Sequence, residues 1–386
     1  MIPRSHDRPG DPPDYCRRAL PAVSRTFALT IRVLPGPLRE PVTIAYLLCR
    51  MADVLEDATE ADPSRRSSYL EALAGALYRS DSSPADLAAA LDGAEALIGA
   101  DASGRDLLAH RRCVFTAFRA LDAPVRETVS RWVQAMALGL ASLVDRETAR
   151  GRLPAAGVAS VEPRVPFVLA THDELRAYSW YVAGTVGHLL TELFEHHCGS
   201  RWPDRRQMRD LSAPFGLGLQ FTNILQDLAD DRRRGWSYVP EEIARRHGTS
   251  VQSLDEPAQT AAALGVVGEL VREASNYLDS AMEYTLLLPR SAPRIRLFCA
   301  WPTFFAVRTL TRIWGEEQVL RGGERVRITR PEVRSVIGKT TALCWSDEGL
   351  SRLWESERGR LARRMDARPL TLRSDSVAAS APLPRP

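Results

Sequence analysis

The residues best suited to chemistry in this chain are two pairs of aspartates, each pair four positions apart on an otherwise apolar stretch. In TIAYLLCRMADVLEDATE, Asp53 and Asp57 project from one face and one turn of a helix, with Arg50 one turn before Asp53 and Tyr46 one turn before Arg50. Like charges at that spacing repel. A helix rich in Leu, Ile and Val does not place Asp53 in line with Tyr46 and Arg50 unless something compensates, and a bound divalent cation is the natural compensation. In LGLGLQFTNILQDLADDRRRGWSYVP, Asp227 and Asp231 repeat the spacing, with Asn223 one turn before Asp227 and Arg232, Arg233 and Arg234 directly after. Hard oxygen ligands in this number suit Mg²⁺, which keeps several waters and bridges carboxylates to phosphate oxygens. One such turn reads as a solvated helix end. Two of them predict a site that holds a diphosphate through metal ions and buries a hydrocarbon chain below it.

The elements that must position these carboxylates are helices. Apolar residues recur at three- and four-residue spacing between connectors rich in Pro and Gly. The pattern predicts an all-α chain, with helices over about 13–33, 37–58, 64–80, 84–98, 104–118, 124–148, 172–197, 205–230, 259–289, 293–317 and 331–357. Strand-like alternation is weak; its best instance, Arg325 to Thr329, is short and charged and reads as a loop. Residues 151–166 and 230–248 each read as a loop or lid, and the chain from Arg368 onward reads as a disordered tail. Because the carboxylates near 53 and 227 are expected to meet across one cavity, residues 1–367 are expected to form a single bundle with a central apolar cavity, followed by a tail over 368–386.

Composition removes other classes. With 45% hydrophobic and 26% charged residues, the 386-residue chain is neither disordered nor collagen-like. Its 51 basic and 48 acidic residues leave a net charge of +3, too small and too interspersed for a nucleic-acid partner. Lys339 is the sole lysine, which reflects coding composition rather than chemistry. Six scattered cysteines without a CxxC pair predict reduced, buried thiols. The N-terminus lacks the apolar core of a signal peptide, and no window reaches the ~18 apolar residues of a spanning helix, so a cytoplasmic protein without a transmembrane anchor is expected.

Four segments then carry a resemblance. Ser24-Arg25-Thr26-Phe27, YLLCRMADVLED, YSWYVAGTVG at 178–187 and LGLGLQFTNILQDLADD resemble the flap, the first aspartate-rich motif, the tyrosine-bearing helix and the second aspartate-rich motif of squalene and phytoene synthases. The likeness runs from about Tyr15 to Leu320, and Phe298-Cys299-Ala300-Trp301-Pro302 followed by EEQVLRGG is similar to the squalene synthase branch. It implies a single all-α isoprenoid synthase bundle acting on prenyl diphosphates. Asp53, Asp57, Asp227 and Asp231 would bind Mg²⁺; Ser24, Arg25, Arg50, Asn223 and Arg232 would hold diphosphate; Tyr181 would stand near the developing carbocation, with Arg50 and Tyr46 supporting it. Phe27, Phe298 and Trp301 would line the cavity, although Trp301, Phe304 and Phe305 also read as plain core. His188 reads as a hydrogen-bonded helical residue, and His196 and His197 as capping cations at a helix end.

The departures define the alternatives. Relatives usually carry a basic residue immediately before the first Asp of the second motif, and Gln226 stands there. An enzyme that holds two diphosphates loses more by that exchange than one that holds a single diphosphate and a neutral acceptor. Two chemistries therefore follow: head-to-head coupling of two farnesyl diphosphates to presqualene diphosphate and squalene, or prenylation of an aromatic co-substrate of the indole or carbazole type. NADPH is implied only for the squalene-forming version, and QVLRGGERVRITR keeps four arginines where the resemblance places it. No counterpart of the C-terminal membrane helix of eukaryotic squalene synthases is expected. A non-catalytic helical interaction protein is the remaining class, against which the four acidic positions stand.

Overall fold

Local capping chemistry fixes where the helices begin and break. The computed structural model describes residues 12–79, 82–151, 167–323 and 325–370, and these are helical almost throughout. They group into two compact units, residues up to 151 with Glu192–His197, and residues from 167 to Thr191 with Cys198 onward.

In the first unit the expected helix over 13–33 divides into α1 (Pro12–Val23) and α2 (Arg25–Val33), because Ser24 turns extended at φ −159° and its hydroxyl accepts from the Phe27 amide at 3.2 Å. There follow α3 (Gly36–Glu56), α4 (Pro63–Tyr78), α5 (Pro84–Ala89), α6 (Ala102–Ala109), α7 (Arg111–Arg119) and α8 (Ala123–Gly151). The expected 84–98 helix stops at Ala89 and resumes only as a single 3₁₀ turn, Ala94–Leu97, after Gly93 at φ +80°. α3 is the buried centre: Leu47, Leu48, Met51, Ala52 and Leu55 have no exposed surface, so its end is held by packing rather than by caps. α4 and α8 pack along one another beside it.

The second unit contains α9 (His172–Ser179), a π-helical turn (Trp180–Gly184), α10 (Thr185–Cys198), whose last turns belong to the first unit, α11 (Arg205–Arg233), α12 (Glu241–Arg246), α13 (Thr260–Leu287), α14 (Pro293–Ile313), α15 (Gln318–Arg321), α16 (Arg330–Leu343) and α17 (Asp347–Ala367). α11 lies along α13, and α14 packs on both α13 and α17. Two differences from the expected elements have clear causes. The span 230–248 is not one loop: α11 runs on to Arg233, and Gly235 at φ +84° turns the chain into β2 (Trp236–Ser237), which pairs in parallel with β1 (Phe167–Val168). The span 331–357 is two helices, since Ser346 caps a new start by accepting from Gly349 N at 3.0 Å. A Thr329/Glu332 capping box opens α16, which leaves 325–329 as the loop expected. Residues 152–166 of the expected lid and the tail beyond residue 370 lie outside the described residues.

Candidate active site

α3 delivers Tyr46, Arg50, Asp53 and Asp57 from its last three turns. Asp57 is the C-cap residue, still near helical geometry (φ −68°, ψ −9°), and its amide donates to the Asp53 carbonyl at 2.8 Å, so both carboxylates belong to one turn. Asp53 is half-buried and Asp57 exposed. Burial pushes the Asp53 carboxyl up to about 7; Arg50 opposes that shift and Asp57 adds to it. Arg50 lies 3.7 Å from Asp57 Oδ2, and its Nη2 donates to Asp101 Oδ2 at 2.9 Å. Asp101 is a residue the sequence reading missed. Its other oxygen caps α6, accepting from Gly104 N at 2.9 Å and Ser103 Oγ at 2.7 Å, so one carboxylate both starts a helix and orients Arg50. Gly104 permits the approach: a Cβ there would lie 2.8 Å from both Val54 methyls. Tyr46 stacks obliquely on Phe27 at 5.3 Å and is hydrogen-bonded to the Ser24 hydroxyl; burial holds its phenol up at about 12, so it stays protonated at neutral pH.

The second motif closes α11. Burial raises the Asp227 carboxyl and Arg325 opposes the rise, with Nη1 3.1 Å from Asp227 Oδ1. Arg325 Nε also donates to Asp230 Oδ2 at 2.6 Å, and Arg233 pairs with the other oxygen of Asp230. Asp231 lies 3.8 Å from Arg234 Nη1. Asn223, one turn earlier, is exposed. Gln226 donates from Nε2 to the Val326 carbonyl at 3.0 Å.

Tyr181 is carried by the π-helical turn, closed by Thr185 N–H to the Trp180 carbonyl, a distortion often found at functional sites. Its ring is half-buried and meets Trp180 edge-on at 5.2 Å. Two glycines let this segment touch α11 backbone to backbone. A Cβ on Gly187 would fall 2.0 Å from the Ser212 carbonyl oxygen, and one on Gly216 would fall 2.2 Å from the Ala183 carbonyl oxygen.

Several expected residues have other partners. Arg232 is turned away from the acidic pair: Nη2 donates to the Gln252 carbonyl at 2.9 Å and to Asp255 Oδ1 at 2.7 Å. Ser24 serves α2 as its N-cap. The Arg25 side chain lies outside the described residues, although its backbone opens α2. Trp301 is core, its indole N–H donating to Thr340 Oγ1 at 3.0 Å on α16, and Phe298 is likewise buried. His188 is hydrogen-bonded to Ser212 Oγ at 2.6 Å, as expected of a helical histidine. Of the four arginines in 318–330, Arg321 pairs with Glu317 at 2.9 Å, Arg325 with the acidic motif, and Arg327 and Arg330 are exposed.

Mg²⁺ suits these donors. Each motif offers hard carboxylate oxygens whose charge is raised in cost by burial, which a divalent cation relieves. Among the described residues no group of three or more His, Cys, Asp or Glu side chains is arranged to hold a metal. Each cation would therefore rely on one or two carboxylates, with water and phosphate oxygens completing its shell, as Mg²⁺ commonly does.

Human squalene synthase is 24% identical over 314 residues, covering 81% of this chain and 66% of the human protein. A Botryococcus braunii squalene synthase is 28% identical over 331 residues, covering 83% and 61%. The chain thus spans somewhat less than two thirds of these relatives' lengths. In fold, a ligand complex of TcSQS superposes with a TM-score of 0.74 at 24% identity over 92% of this chain and 93% of that one. Squalene synthase HpnC from Alicyclobacillus acidocaldarius gives 0.51 at 19% over 78% and 92%. The squalene/phytoene synthase profile matches residues 20–332, a span that takes in both aspartate motifs, the tyrosine turn and the Arg325 connection, and the chain belongs to that family.

Proposed function

We propose that this protein is a Mg²⁺-dependent prenyltransferase that ionises an allylic prenyl diphosphate and forms a new carbon–carbon bond, most simply by coupling two farnesyl diphosphates head to head. The observation that carries the reading is the pair of carboxylate motifs, Asp53/Asp57 and Asp227/Asp231, each on an apolar helix, each with a half-buried leading aspartate whose carboxyl is raised by burial, and each balanced by an arginine. Bound Mg²⁺ supplies the positive charge that stabilises diphosphate as a leaving group. The chain's own residues do the rest. Arg50, aligned by Asp101, offers a guanidinium at the first motif. The Tyr181 ring, held by the π turn, gives the allylic cation an aromatic face without a strong nucleophile. The C1–O bond breaks with its electron pair leaving on diphosphate, the acceptor's double bond supplies the electrons of the new bond, and the cation this leaves on the acceptor is neutralised by loss of a proton to the released diphosphate or to water. We propose that residues 1–367 act as one catalytic bundle and that both motifs serve this one ionisation. In the squalene-forming version exposed Arg327 and Arg330 would hold the phosphates of NADPH, which would supply the hydride.

Gln226 favours a second reading. It carries no charge where the family resemblance implies a basic residue, which fits a single diphosphate and an aromatic acceptor. Incubation with Mg²⁺ and farnesyl diphosphate alone separates the two. A C30 product is expected from the first reading; turnover only when an indole-type co-substrate is added would replace it with the second.

A further inference from the structure

A helix leaves its α register only where its surroundings hold it out. Across Trp180–Gly184 the spacing is π-helical, and the Thr185 amide reaches back five residues to the Trp180 carbonyl. In an unbroken α-helix that amide would serve the Tyr181 carbonyl. Here the Thr185 hydroxyl takes its place, donating to the Tyr181 carbonyl at 2.7 Å. Thr185 is 1% exposed, so bulk water cannot stand in for the hydroxyl. Thr285 makes a similar bond to the Ala281 carbonyl at 2.8 Å, but within the regular helix α13, where a backbone amide already serves that carbonyl. Only at Thr185 does the hydroxyl substitute for a displaced amide. Packing fixes the same turn from outside: a Cβ on Gly216 would fall 2.2 Å from the Ala183 carbonyl oxygen, and one on Gly184 would fall 2.9 Å from the Trp180 ring.

We infer that Thr185 is a positioning residue for the ionisation step: its hydroxyl holds the π turn and thereby aims the Tyr181 ring, a role that rests on the reading of Tyr181 as the aromatic face offered to the allylic cation. Register decides where that ring points, because a slip of one residue turns a helical side chain by about 100°. Without the hydroxyl, the Tyr181 carbonyl loses its donor at position 185. The amide of residue 185 can replace that donor only by leaving Trp180, which closes the turn to α spacing and swings the ring from its place edge-on to Trp180 at 5.2 Å. Thr185, itself buried, acts through Tyr181. Its effect therefore falls on kcat, since an aromatic face interacts with the cation formed in the transition state far more than with the neutral chain of the ground state.

Steady-state diphosphate release from farnesyl diphosphate with Mg²⁺, measured on the full chain with and without indole, tests this. Thr185→Val keeps the shape and removes the hydroxyl; it should lower kcat by about 10- to 30-fold, the worth of a desolvated cation–π contact, with KM held within about twofold. Thr185→Ser keeps the hydroxyl and should return kcat to within about threefold of the wild type. Thr285→Val, which loses the same kind of bond on α13, should leave kcat unchanged. In a Tyr181→Leu background Thr185→Val should add no further loss, because both changes act on one ring. A slow Tyr181→Leu beside a Thr185→Val with wild-type kcat overturns the inference alone. So does a loss confined to KM, a Thr185→Ser as slow as Thr185→Val, an equal loss in Thr285→Val, or additive losses in the double variant. Wild-type kcat in Tyr181→Leu overturns the reading of Tyr181 and the role of Thr185 with it, and so does a wild type that releases no diphosphate under either condition. Should Thr185→Val not fold, Thr185→Ala carries the same comparisons.

Discussion

Replacing Asp101 separates a structural duty from a functional one within a single carboxylate. Oδ1 caps α6 through Gly104 N and Ser103 Oγ, while Oδ2 accepts from Arg50 Nη2 at 2.9 Å. Loss of an N-cap costs about 1 kcal/mol. The Arg50 pair, with side chains 23% and 36% exposed, is partly screened and adds about 1 kcal/mol. Asp101→Ala should therefore destabilise the fold by about 2 kcal/mol. Asp101→Asn keeps an amide oxygen for the cap, and asparagine caps as well as aspartate, so its stability should fall by about 1 kcal/mol or less. Both variants remove the carboxylate that holds Arg50 Nη2, leaving it only the looser contact to Asp57 at 3.7 Å, and both should lower kcat/KM for farnesyl diphosphate by about tenfold or more, since about 1.4 kcal/mol of lost positioning is a factor of ten. Urea unfolding and a diphosphate-release assay give the two axes. Asp101→Asn with wild-type kcat/KM would refute the claim that Asp101 positions a working Arg50.

Other consequences concern the metal, the packing and pH. Asp53→Asn and Asp227→Asn should each abolish detectable product while leaving the circular dichroism spectrum intact, because each removes a carboxylate proposed as a metal ligand from a partly solvated turn; near-wild-type turnover in either contradicts that proposal. Gly187→Ala should cost about 3 kcal/mol or prevent folding, since its Cβ would fall 2.0 Å from a backbone carbonyl that no rotamer change can move; a loss under about 1 kcal/mol in urea would disprove that close approach. His172 donates to Glu273 Oε2 at 2.6 Å, and although burial alone would lower its pKa, Glu273 raises it above the ordinary histidine value. The resulting stabilisation is fully present below about pH 6.5 and fades as pH rises through the higher folded-state value. His172→Gln should thus destabilise by about 1 kcal/mol more at pH 6 than at pH 9, and equal losses at both would exclude a charged pair.

Helices and motifs were legible where signals are local. The buried face of α3, the repeated DxxxD spacing and the Pro-led helix starts are read within a turn or two. Breaks at Ser24 and Ser346 escaped notice because apolar periodicity continues across them and a single hydroxyl decides the matter. Partners distant in sequence were out of reach. Asp101 stands 51 residues from Arg50 and Arg325 stands 95 from Asp230, and nothing within either segment announces the meeting. Arg232 misled for the converse reason: adjacency to Asp231 suggested a phosphate ligand, whereas a helical side chain one position on faces another direction and finds Asp255. Gln226 could be flagged as unusual, but its use as a clamp on Val326 needed the fold.

The most direct test of the central claim is the rate of diphosphate release from farnesyl diphosphate, compared with its 2,3-dihydro analogue, in Mg²⁺ and in excess chelator. Ionisation assisted by metal-bound carboxylates predicts release only from the allylic substrate and only with Mg²⁺. Release that persists in chelator, or equal release from the saturated analogue, would contradict the account.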